Sequence, residues 1–248
     1  MPELLVSTGQ AAAAGQPAGK EQALRDASSI PGWMTGAELA WLYDHARGSC
    51  VELGSHCGRS TAAIGAKLKA SGGHLTCVDL WGDEVCYRAF LQHVRRLGLP
   101  VSPLRMDSLQ APDHFAEGAL DFVFIDTSHD YEDVVCEVLA WLPKLRPDGR
   151  LCGHDYRQPL YPGVEQAVRE WCPGFENPVD SIWAVPAFRL RLNRPQGADL
   201  LAHWRRALLR LQQANAEIAR MRTSKFWKLR AVWQRCKRLV EIRPRRRC

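Results

Sequence analysis

The feature that most constrains this chain is a regular alternation of short apolar runs with segments of helical periodicity, beginning at Ser49. The apolar runs end near glycine, aspartate or proline and read CVELG, HLTCVDL, SPLRM, LDFVFID and RLCGHD. Between them, apolar residues recur three and four apart in RSTAAIGAKLKAS, EVCYRAFLQHVRRL and YEDVVCEVLAWLPKL. Strands that alternate with helices of this length form βαβ units. The sequence therefore predicts an α/β fold with a doubly wound, mostly parallel sheet.

The segments on either side of this alternation complete the predicted domain. Ahead of it, MTGAELAWLYDHA predicts a helix that begins at Thr35, with Glu38 three residues on as in a capping box. After the fifth strand, PGVEQAVREWC predicts a helix, and SIWAVPAFRLRL predicts two last strands that turn at Pro186–Ala187. These strands would make the sheet seven-stranded. Residues 1–30, rich in alanine, glycine and glutamine, are predicted to be a disordered arm before a domain at 31–195.

Charge is distributed unevenly along the chain. Residues 1–198 carry 18 Lys+Arg against 24 Asp+Glu, whereas residues 199–248 carry 15 against 3. The net charge of +6 therefore comes from the C-terminal segment alone. Because the domain itself is acidic, it lacks the basic field that nucleic-acid binding requires, and we expect no nucleic-acid partner.

The chain shows no targeting segment and no cysteine motif. It has neither a signal-peptide pattern nor an apolar run approaching the roughly 18 residues of a membrane span. Its nine cysteines are scattered and never form CxxC, which argues against a structural zinc site. These features predict a cytoplasmic protein with reduced thiols.

The first predicted strand ends in a glycine-rich turn with the sequence ELGSHCGRST. Gly54 and Gly58 bracket the turn, and Ser60 or Thr61 can cap the helix that follows. The spacing is not GxGxxG, which disfavours a dinucleotide site. Glu52, just ahead of the turn, suits an ammonium group, so the pattern favours a cationic amino-acid ligand over a phosphate. A tight turn that binds no ligand is the alternative.

Acids also follow the second and third strands. Asp79, at the end of the second, lies where an acid can hydrogen-bond both hydroxyls of a ribose, although an aspartate that caps the next helix would look the same. Asp107 and Ser108, after the third strand, could bind an adenine amino group or simply begin a turn.

The fourth and fifth strands bring further titratable groups to the same edge of the sheet. Asp126 and His129 follow the fourth strand, and His154 and Asp155 end the fifth. Asp126 and Asp155 could share Mg²⁺ with His154 as a third ligand, although nitrogen suits this ion less well. His129 has the chemistry of a general base for a hydroxyl proton. Helix caps and loop acids without a metal are the alternatives.

In order, these motifs resemble class I S-adenosylmethionine-dependent methyltransferases, most closely the small-molecule O-methyltransferase branch whose fourth strand reads FIDxxHxY and whose fifth ends in GHDY. The resemblance covers roughly residues 33–193 and implies a Rossmann-like fold. It implies S-adenosylmethionine as cofactor, with Mg²⁺ as a further ion. The cofactor would be held by Glu52, Gly54, Ser55, Gly58, Ser60, Thr61, Asp79, Leu80, Trp81, Asp107, Ser108 and Asp126. The catalytic residues would be His129 and Asp126, and the metal ligands Asp126, Asp155 and His154. The chain departs from the branch at Thr127, which is commonly glycine, and at Asp148.

The resemblance implies methylation of a hydroxyl on a sugar, a glycoside or another small molecule. A second hypothesis keeps this reaction but removes the metal and leaves His129 as the only base. A third is a catalytically silent cofactor-binding scaffold whose tail recruits glycan-assembly enzymes.

The C-terminal segment 199–248 predicts a basic amphipathic helical tail. Its first half carries an a/d stripe that places Asn215 at an a position, as in two-stranded coiled coils, so a homodimer is one expectation and a helix packed on its own domain is the other. Its second half, SKFWKLRAVWQRCKRLVEI, has an apolar face amid lysine and arginine, which suits an anionic membrane surface or a partner protein. A solvated charged face that binds neither is the alternative. The SKFWKLR stretch resembles tails of enzymes that build cell-surface glycans, which favours a sugar acceptor.

Overall fold

The computed structural model describes residues 16–192, 215 and 218–220. The chain forms two compact units, residues 1–195 and residues 196–248. In the second unit, the four described residues are helical and exposed. The rest of the predicted tail, including most of its a/d stripe and its basic second half, lies outside the described residues. Among the described residues, no helix is both long and apolar enough to cross a membrane.

The first unit is an α/β domain in which helices and strands alternate along the chain. Its strands are β1 (Ser49–Leu53), β2 (His74–Asp79), β3 (Val101–Arg105), β4 (Leu120–Ile125), β5 (Leu145–Gly153), β6 (Glu176–Val179) and β7 (Ile182–Pro186). Its helices are α1 (Gln16–Ser28), α2 (Gly36–His45), α3 (Arg59–Ser71), α4 (Glu84–Leu97), α5 (Tyr131–Trp141), α6 (Pro162–Trp171) and α7 (Ala187–Leu192). Short 3-10 turns lie at Ala111–His114 and Leu142–Lys144.

The seven strands form one sheet in the order β3-β2-β1-β4-β5-β7-β6. The pairs among the first five strands are parallel, whereas β7 is antiparallel to both β5 and β6. Strand order reverses between β1 and β4, which in open α/β sheets creates a crevice at the carboxyl ends of the strands. The predicted doubly wound, seven-stranded, Rossmann-like sheet is confirmed.

Side chains alternate across the sheet and fill a core on each face. Val51 and Leu53 of β1 belong to a cluster that includes the buried residues of α5, α6 and α7. Cys50, one residue earlier, belongs to the opposite cluster, which includes residues of α1 to α4. Glu52 shares the face of Cys50, and this placement decides which residues it can reach.

The predicted disordered arm at 1–30 is wrong for residues 16–30. Helix α1 occupies most of this stretch and packs against α3, with Ala27 and Ile30 fully buried. Arg59 fastens the segment, because its guanidinium donates to the carbonyl oxygens of Ser28 at 2.8 Å, Ile30 at 2.7 Å and Met34 at 2.8–3.0 Å. A tertiary contact from 30 residues away therefore orders a segment whose composition alone predicts disorder. Residues 1–15 lie outside the described residues.

The predicted final hairpin is also wrong in its position. Only the first predicted strand exists, as β7, because the residues after Pro186 form helix α7. The partner of β7 in the hairpin is β6, which precedes it, and the two strands turn at Asp180–Ser181. The short β6 has few apolar residues and was therefore hidden in the sequence. The capping box of α2 is confirmed, since Thr35 and Glu38 exchange both hydrogen bonds.

Candidate functional site

A crevice of about 930 Å³ opens at the carboxyl ends of the central strands. Most of the residues predicted to form the site line it, and these are Gly54, Ser55, Ser60, Asp79, Leu80, Asp107, Ser108, Asp126, His129, His154 and Asp155. Four other predicted residues do not line it, and these are Glu52, Gly58, Thr61 and Trp81. The structure therefore brings the ends of β1, β2, β4 and β5 together but excludes some of the side chains expected there.

The turn after β1 lets two strand ends approach very closely. Gly54 has φ +81°, and a Cβ atom there would lie 1.9 Å from the main-chain oxygen of Asp126. The Asp126 N–H in turn donates to the Leu53 carbonyl at 2.8 Å. Only glycine fits this position, because any side chain would collide with the main chain of Asp126 at the end of β4.

The expectation that Ser60 or Thr61 caps α3 is wrong. Gly58, with φ +93°, is the residue before the helix and supplies no side-chain cap. Ser60 and Thr61 lie within the first turn instead, where Ser60 faces the crevice and the Thr61 hydroxyl donates to Glu52 at 2.5 Å.

Glu52 lies inside the domain and does not face the crevice, which contradicts its predicted direct contact with a ligand ammonium group. Its Oε2 accepts hydrogen bonds from the hydroxyls of Ser55 at 2.7 Å and Thr61, and from the Cys77 thiol at 3.2 Å. Its Oε1 is buried and has no hydrogen-bond partner. Burial raises the pKa of this carboxyl, in part offset by the hydroxyl donors. Glu52 therefore acts on the site indirectly, by fixing Ser55 and the start of α3.

Asp79 holds the turn after β1 from the neighbouring strand. Its Oδ2 accepts from the N–H groups of Ser55 at 3.0 Å and His56 at 2.9 Å, and its Oδ1 accepts from the Trp81 N–H at 2.6 Å. An ionised carboxylate has about four acceptor positions, so three are occupied by the main chain. Asp79 thus keeps capacity for one further donor in the crevice, fewer than the two expected for a bidentate contact.

Trp81 supports this loop from behind. It is 2% exposed, packs against Tyr87 and Phe90, and donates its indole N–H to the His56 carbonyl at 2.9 Å. Its predicted place among cofactor-binding residues is therefore not seen. Leu80 beside it is 62% exposed and does line the crevice.

A buried glutamate organises the far end of the crevice. Glu137 of α5 accepts hydrogen bonds from the hydroxyls of Ser108 at 2.5 Å and Thr127 at 2.6 Å and 2.7 Å. Burial raises the pKa of Glu137 to about 7. Asp107 uses Oδ1 to accept from the Leu109 N–H at 2.9 Å, which is the turn-forming alternative for this residue. Thr127, where the resembled branch has glycine, is thereby part of the crevice wall.

His154 lies at the centre of an acidic cluster. Its Nε2 is 3.1 Å from Glu38 Oε1, and its Nδ1 is 3.3 Å from Asp155 Oδ1 and 3.8 Å from Asp126 Oδ1. Burial alone lowers the pKa of a histidine, but the hydrogen bonds to Asp155 and Glu38 and the charges of Asp126 and Asp155 outweigh it and raise the pKa of His154 to about 10. At neutral pH His154 is therefore an imidazolium.

The same cluster has opposite effects on its two aspartates. Burial is the main cause that raises the pKa of Asp126 to about 7, with His154 acting against it. Burial also raises the pKa of Asp155, but the hydrogen bonds and charges of His154 and His129 outweigh burial and lower it. Asp155 is consequently the ionised partner in the cluster.

His129 faces the crevice and bonds to Asp155. Its Nε2 lies 2.8 Å from Asp155 Oδ2, and its ring stacks on Tyr161 with centroids 3.8 Å apart. Asp155 itself has φ +62°, an unusual backbone conformation for a residue other than glycine. A histidine oriented by a carboxylate in this way resembles the base-and-orienter pairs of enzymes that remove a proton from a hydroxyl.

The predicted metal ligands do come together, but their surroundings do not fit Mg²⁺. Ligand atoms of Asp126, His154 and Asp155 lie within 4.8 Å of one another. However, both oxygens of Asp155 already lie within bonding distance of histidines, and the nitrogen that His154 would offer is a poor ligand for Mg²⁺. Mg²⁺ would have to displace the imidazolium whose charge already balances these carboxylates.

The mouth of the crevice combines aromatic, apolar and polar side chains. Trp33 is 84% exposed on one rim, and Leu160, 83% exposed, lies beside Tyr161 on another part of the lining. Gln158, Asp180 and Ser181 add polar groups near this mouth. Eight acids line the crevice, namely Glu38, Asp79, Asp107, Asp126, Asp133, Glu137, Asp155 and Asp180. The one arginine that the structure describes in the lining is Arg59, whose guanidinium donates hydrogen bonds to main-chain carbonyls.

Sequence reasoning missed three residues of the site. Glu38 was recognised only as part of a capping box, since nothing local shows that it meets His154 more than a hundred residues away. Glu137 does carry a signal, because it is an acid on the apolar face that Val134, Val138 and Trp141 define in α5. The stacking of Tyr161 on His129 has no sequence signal.

Comparison with known proteins gives a family match over the centre of the chain. Residues 51–156 match the model of a family described as a methyltransferase domain. An uncharacterised protein, y4gI, of Sinorhizobium fredii is 30% identical over 119 residues, which are 42% of this chain and 13% of that protein. The chain therefore matches only about an eighth of the length of this curated relative.

Solved structures show the same fold at low sequence identity. A cofactor-bound protein from MTB, Rv0187, has a TM-score of 0.55 and 14% identity, covering 71% of this chain and 93% of that one. A putative O-methyltransferase from Klebsiella pneumoniae has a TM-score of 0.53 and 18% identity, covering 68% and 89%. An O-methyltransferase from Bacillus cereus in complex with SAH has a TM-score of 0.51 and 18% identity, covering 71% and 93%.

Proposed function

We propose that this chain contains a class I S-adenosylmethionine-dependent methyltransferase domain, and that it methylates a hydroxyl of a sugar, glycoside or similar small molecule without a metal ion. The observation that carries the proposal is the His129–Asp155 pair in the crevice, with His154 as a built-in cation beside it. This is the metal-free form of the hypothesis drawn from the sequence.

The residues present fit the cofactor. Gly54 and Ser55 line the crevice at the turn after β1, and Ser60 lines it too, a combination that suits the methionine part. Asp79 would bind a ribose hydroxyl with its remaining acceptor position, and Leu80 and Ser108 would border the adenine. When bound, S-adenosylmethionine supplies a methyl group on a positively charged sulfur, and the acidic crevice favours that charge.

His129 has the position and orientation for taking the acceptor proton. With Nε2–H donating to Asp155, a neutral His129 keeps its lone pair on Nδ1, and this nitrogen would accept the proton of the hydroxyl. Ionised Asp155 then stabilises the imidazolium that forms, and Tyr161 holds the ring in place by stacking. The protein otherwise contributes by aligning the oxygen with the methyl group, which is the main requirement of a displacement reaction.

The shape and charge of the crevice mouth favour a neutral, hydroxyl-rich acceptor. An exposed indole such as that of Trp33 offers a flat apolar face, while Gln158, Asp180 and Ser181 offer hydrogen-bonding groups nearby. Glycans combine apolar ring faces with many hydroxyls and suit such a mixture. The eight acids of the lining disfavour acceptors that carry phosphate groups, because they repel negative charge. Apart from histidines, the described residues of the lining offer only Arg59 as a cation, and its guanidinium already bonds to main-chain carbonyls.

We expect the full chain to transfer labelled methyl groups to at least one member of a panel of methyl glycosides and substituted phenols, at a rate that EDTA changes by less than about twofold. His154 already supplies the positive charge beside Asp126 and Asp155, so no ion is needed there. Transfer is measured by product mass and label incorporation, with and without added Mg²⁺. Activity that EDTA abolishes and Mg²⁺ restores would contradict the metal-free mechanism. Tight binding of the cofactor without transfer to any acceptor would favour the silent scaffold.

Replacing Asp79 with alanine should weaken the binding of S-adenosylhomocysteine by about 100-fold or more, which corresponds to about 2.7 kcal/mol. The variant loses a ribose contact and the acceptor that holds the N–H groups of Ser55 and His56. Calorimetry measures the affinity. The matched control is Asp83→Ala, which removes only the cap of α4 and leaves the crevice unchanged. Equal affinities of the two variants would show that Asp79 does not bind the cofactor.

A further inference from the structure

Two thiols lie in contact just outside the crevice. Cys57 belongs to the turn between Gly54 and Gly58, and Cys86 lies in the first turn of α4. Their sulfur atoms are 2.8 Å apart. Neither residue lines the crevice, and neither has a role in the proposed reaction.

The surrounding contacts hold Cys57 in this position. The carbonyl of Cys57 accepts a hydrogen bond from the His93 ring at 2.8 Å, and the carbonyl of His56 accepts one from the Trp81 indole at 2.9 Å. From the other side, Asp79 accepts from the N–H of His56. The turn is therefore fixed by α4, by the loop after β2 and by Asp79, so the closeness of the two thiols is built into the fold.

The separation of the two sulfur atoms favours a disulfide over a metal site. The exposed ring of His56 also lies near, and a ligand atom from each of His56, Cys57 and Cys86 falls within 4.8 Å of the others. Two thiolates on one zinc ion, with bonds of about 2.3 Å in a tetrahedron, are held about 3.8 Å apart. The sulfurs here are about 1 Å closer than that, and a covalent bond of about 2.05 Å requires only a small further approach.

We propose that Cys57 and Cys86 form a reversible disulfide that links the turn between Gly54 and Gly58 covalently to α4. Peroxide or a small-molecule disulfide is the oxidant. With peroxide, the partly exposed Cys57 sulfur attacks one oxygen and becomes a sulfenic acid as hydroxide leaves. The Cys86 sulfur then attacks Cys57, the S–O bond breaks, and the proton of Cys86 leaves with the oxygen as water. Two thiols have then lost two electrons to the peroxide, and an external dithiol reverses the reaction.

The environment of Cys86 suits the second step rather than the first. Cys86 is buried, whereas Cys57 is partly exposed and so is the sulfur that an oxidant reaches. Burial and the neighbouring Cys57, Asp79 and Asp83 raise the pKa of Cys86 to about 12. Little Cys86 thiolate is therefore present, so direct oxidation of Cys86 is slow, and the 2.8 Å contact with Cys57 is what favours the second step.

The test uses the full chain, equilibrated in glutathione buffers from fully reduced to fully oxidised and then alkylated. Trypsin leaves Cys57 in peptide 48–59 and Cys86 in peptide 70–88. Under oxidising conditions we expect these peptides to appear as one cross-linked species that dithiothreitol separates. Because the bridge closes a loop of about 30 residues, oxidation should also raise the melting temperature by about 5 °C.

Controls are needed because each of the two peptides carries a second cysteine, Cys50 and Cys77 respectively. Cys57→Ser and Cys86→Ser should each abolish the cross-link and the rise in melting temperature, whereas Cys50→Ser should keep both. A cross-link that persists in Cys57→Ser, or its absence from the oxidised wild type, overturns the proposal. Stoichiometric zinc in the purified protein that disappears in Cys57→Ser overturns it too, in favour of a metal site.

Discussion

The His129→Ala variant should retain only about 1% to 0.01% of the wild-type kcat while binding S-adenosylhomocysteine within about threefold of normal. General-base catalysis contributes about 10²- to 10⁴-fold to a rate. Among the histidines that line the crevice, His129 is the one that faces the open space and is oriented by the Asp155 carboxylate. His154 cannot replace it, because an imidazolium with a pKa of about 10 has no free lone pair at neutral pH. Steady-state kinetics with the best acceptor of the panel, together with calorimetry, separate the chemical step from cofactor binding.

Two further variants sharpen this test. Asp155→Asn keeps the size of the side chain but removes the charge that stabilises His129 as it gains a proton, so it should also lose most of kcat. His74→Ala is the matched control, since His74 begins β2, at the opposite end of the strands, and its ring hydrogen-bonds to the Ser102 hydroxyl, far from the crevice. The His74→Ala variant should keep the wild-type kcat. A His129→Ala enzyme with more than a third of normal kcat would rule out the proposed base.

The order of the elements could be predicted because it depends on local periodicity. Each βα unit carries its own signal in the form of an apolar run, a glycine or aspartate at its end, and a helical spacing behind it. The parallel ends of β1, β2, β4 and β5 then had to meet, and Asp79, Asp126 and Asp155 lie in one crevice as a result. The errors fall where local signals are weak, as in helix α1, ordered by Arg59, and strand β6, which has few apolar residues.

The side chains within the site were harder to predict because their partners are distant in sequence. The motif around Glu52 does not show whether its side chain faces a ligand or the interior. In the structure, the alternation of side chains along β1 directs Glu52 toward α3, where it bonds to Thr61. The acids of β4 and β5 indicate a cation, but the sequence cannot show that Glu38 of α2 joins them around His154. In the folded domain these contacts create a protonated histidine in the place where an ion was expected.

The Gly54→Ala variant should lower the melting temperature by about 10 °C and abolish cofactor binding. Its Cβ would meet the main-chain oxygen of Asp126 at 1.9 Å, and neither backbone can move without separating β1 from β4. A left-handed alanine costs about 1 kcal/mol by itself, and relief of the clash adds about 3 kcal/mol more. Thermal denaturation and calorimetry with S-adenosylhomocysteine measure the two effects.

Gly72→Ala separates the clash from the backbone strain. Gly72 ends α3 with φ +75°, close to the φ of Gly54, but an added Cβ there has no atom within 4 Å. We expect this variant to lose only about 2–4 °C and to bind the cofactor normally. The difference in melting temperature and in cofactor affinity between the two variants therefore measures the effect of the close contact between the ends of β1 and β4. The position of Asp126 in the crevice depends on this contact. If both variants melted at the same temperature and bound the cofactor equally well, the ends of β1 and β4 would not be in close contact, and the proposed arrangement of Gly54 and Asp126 in the crevice would be wrong.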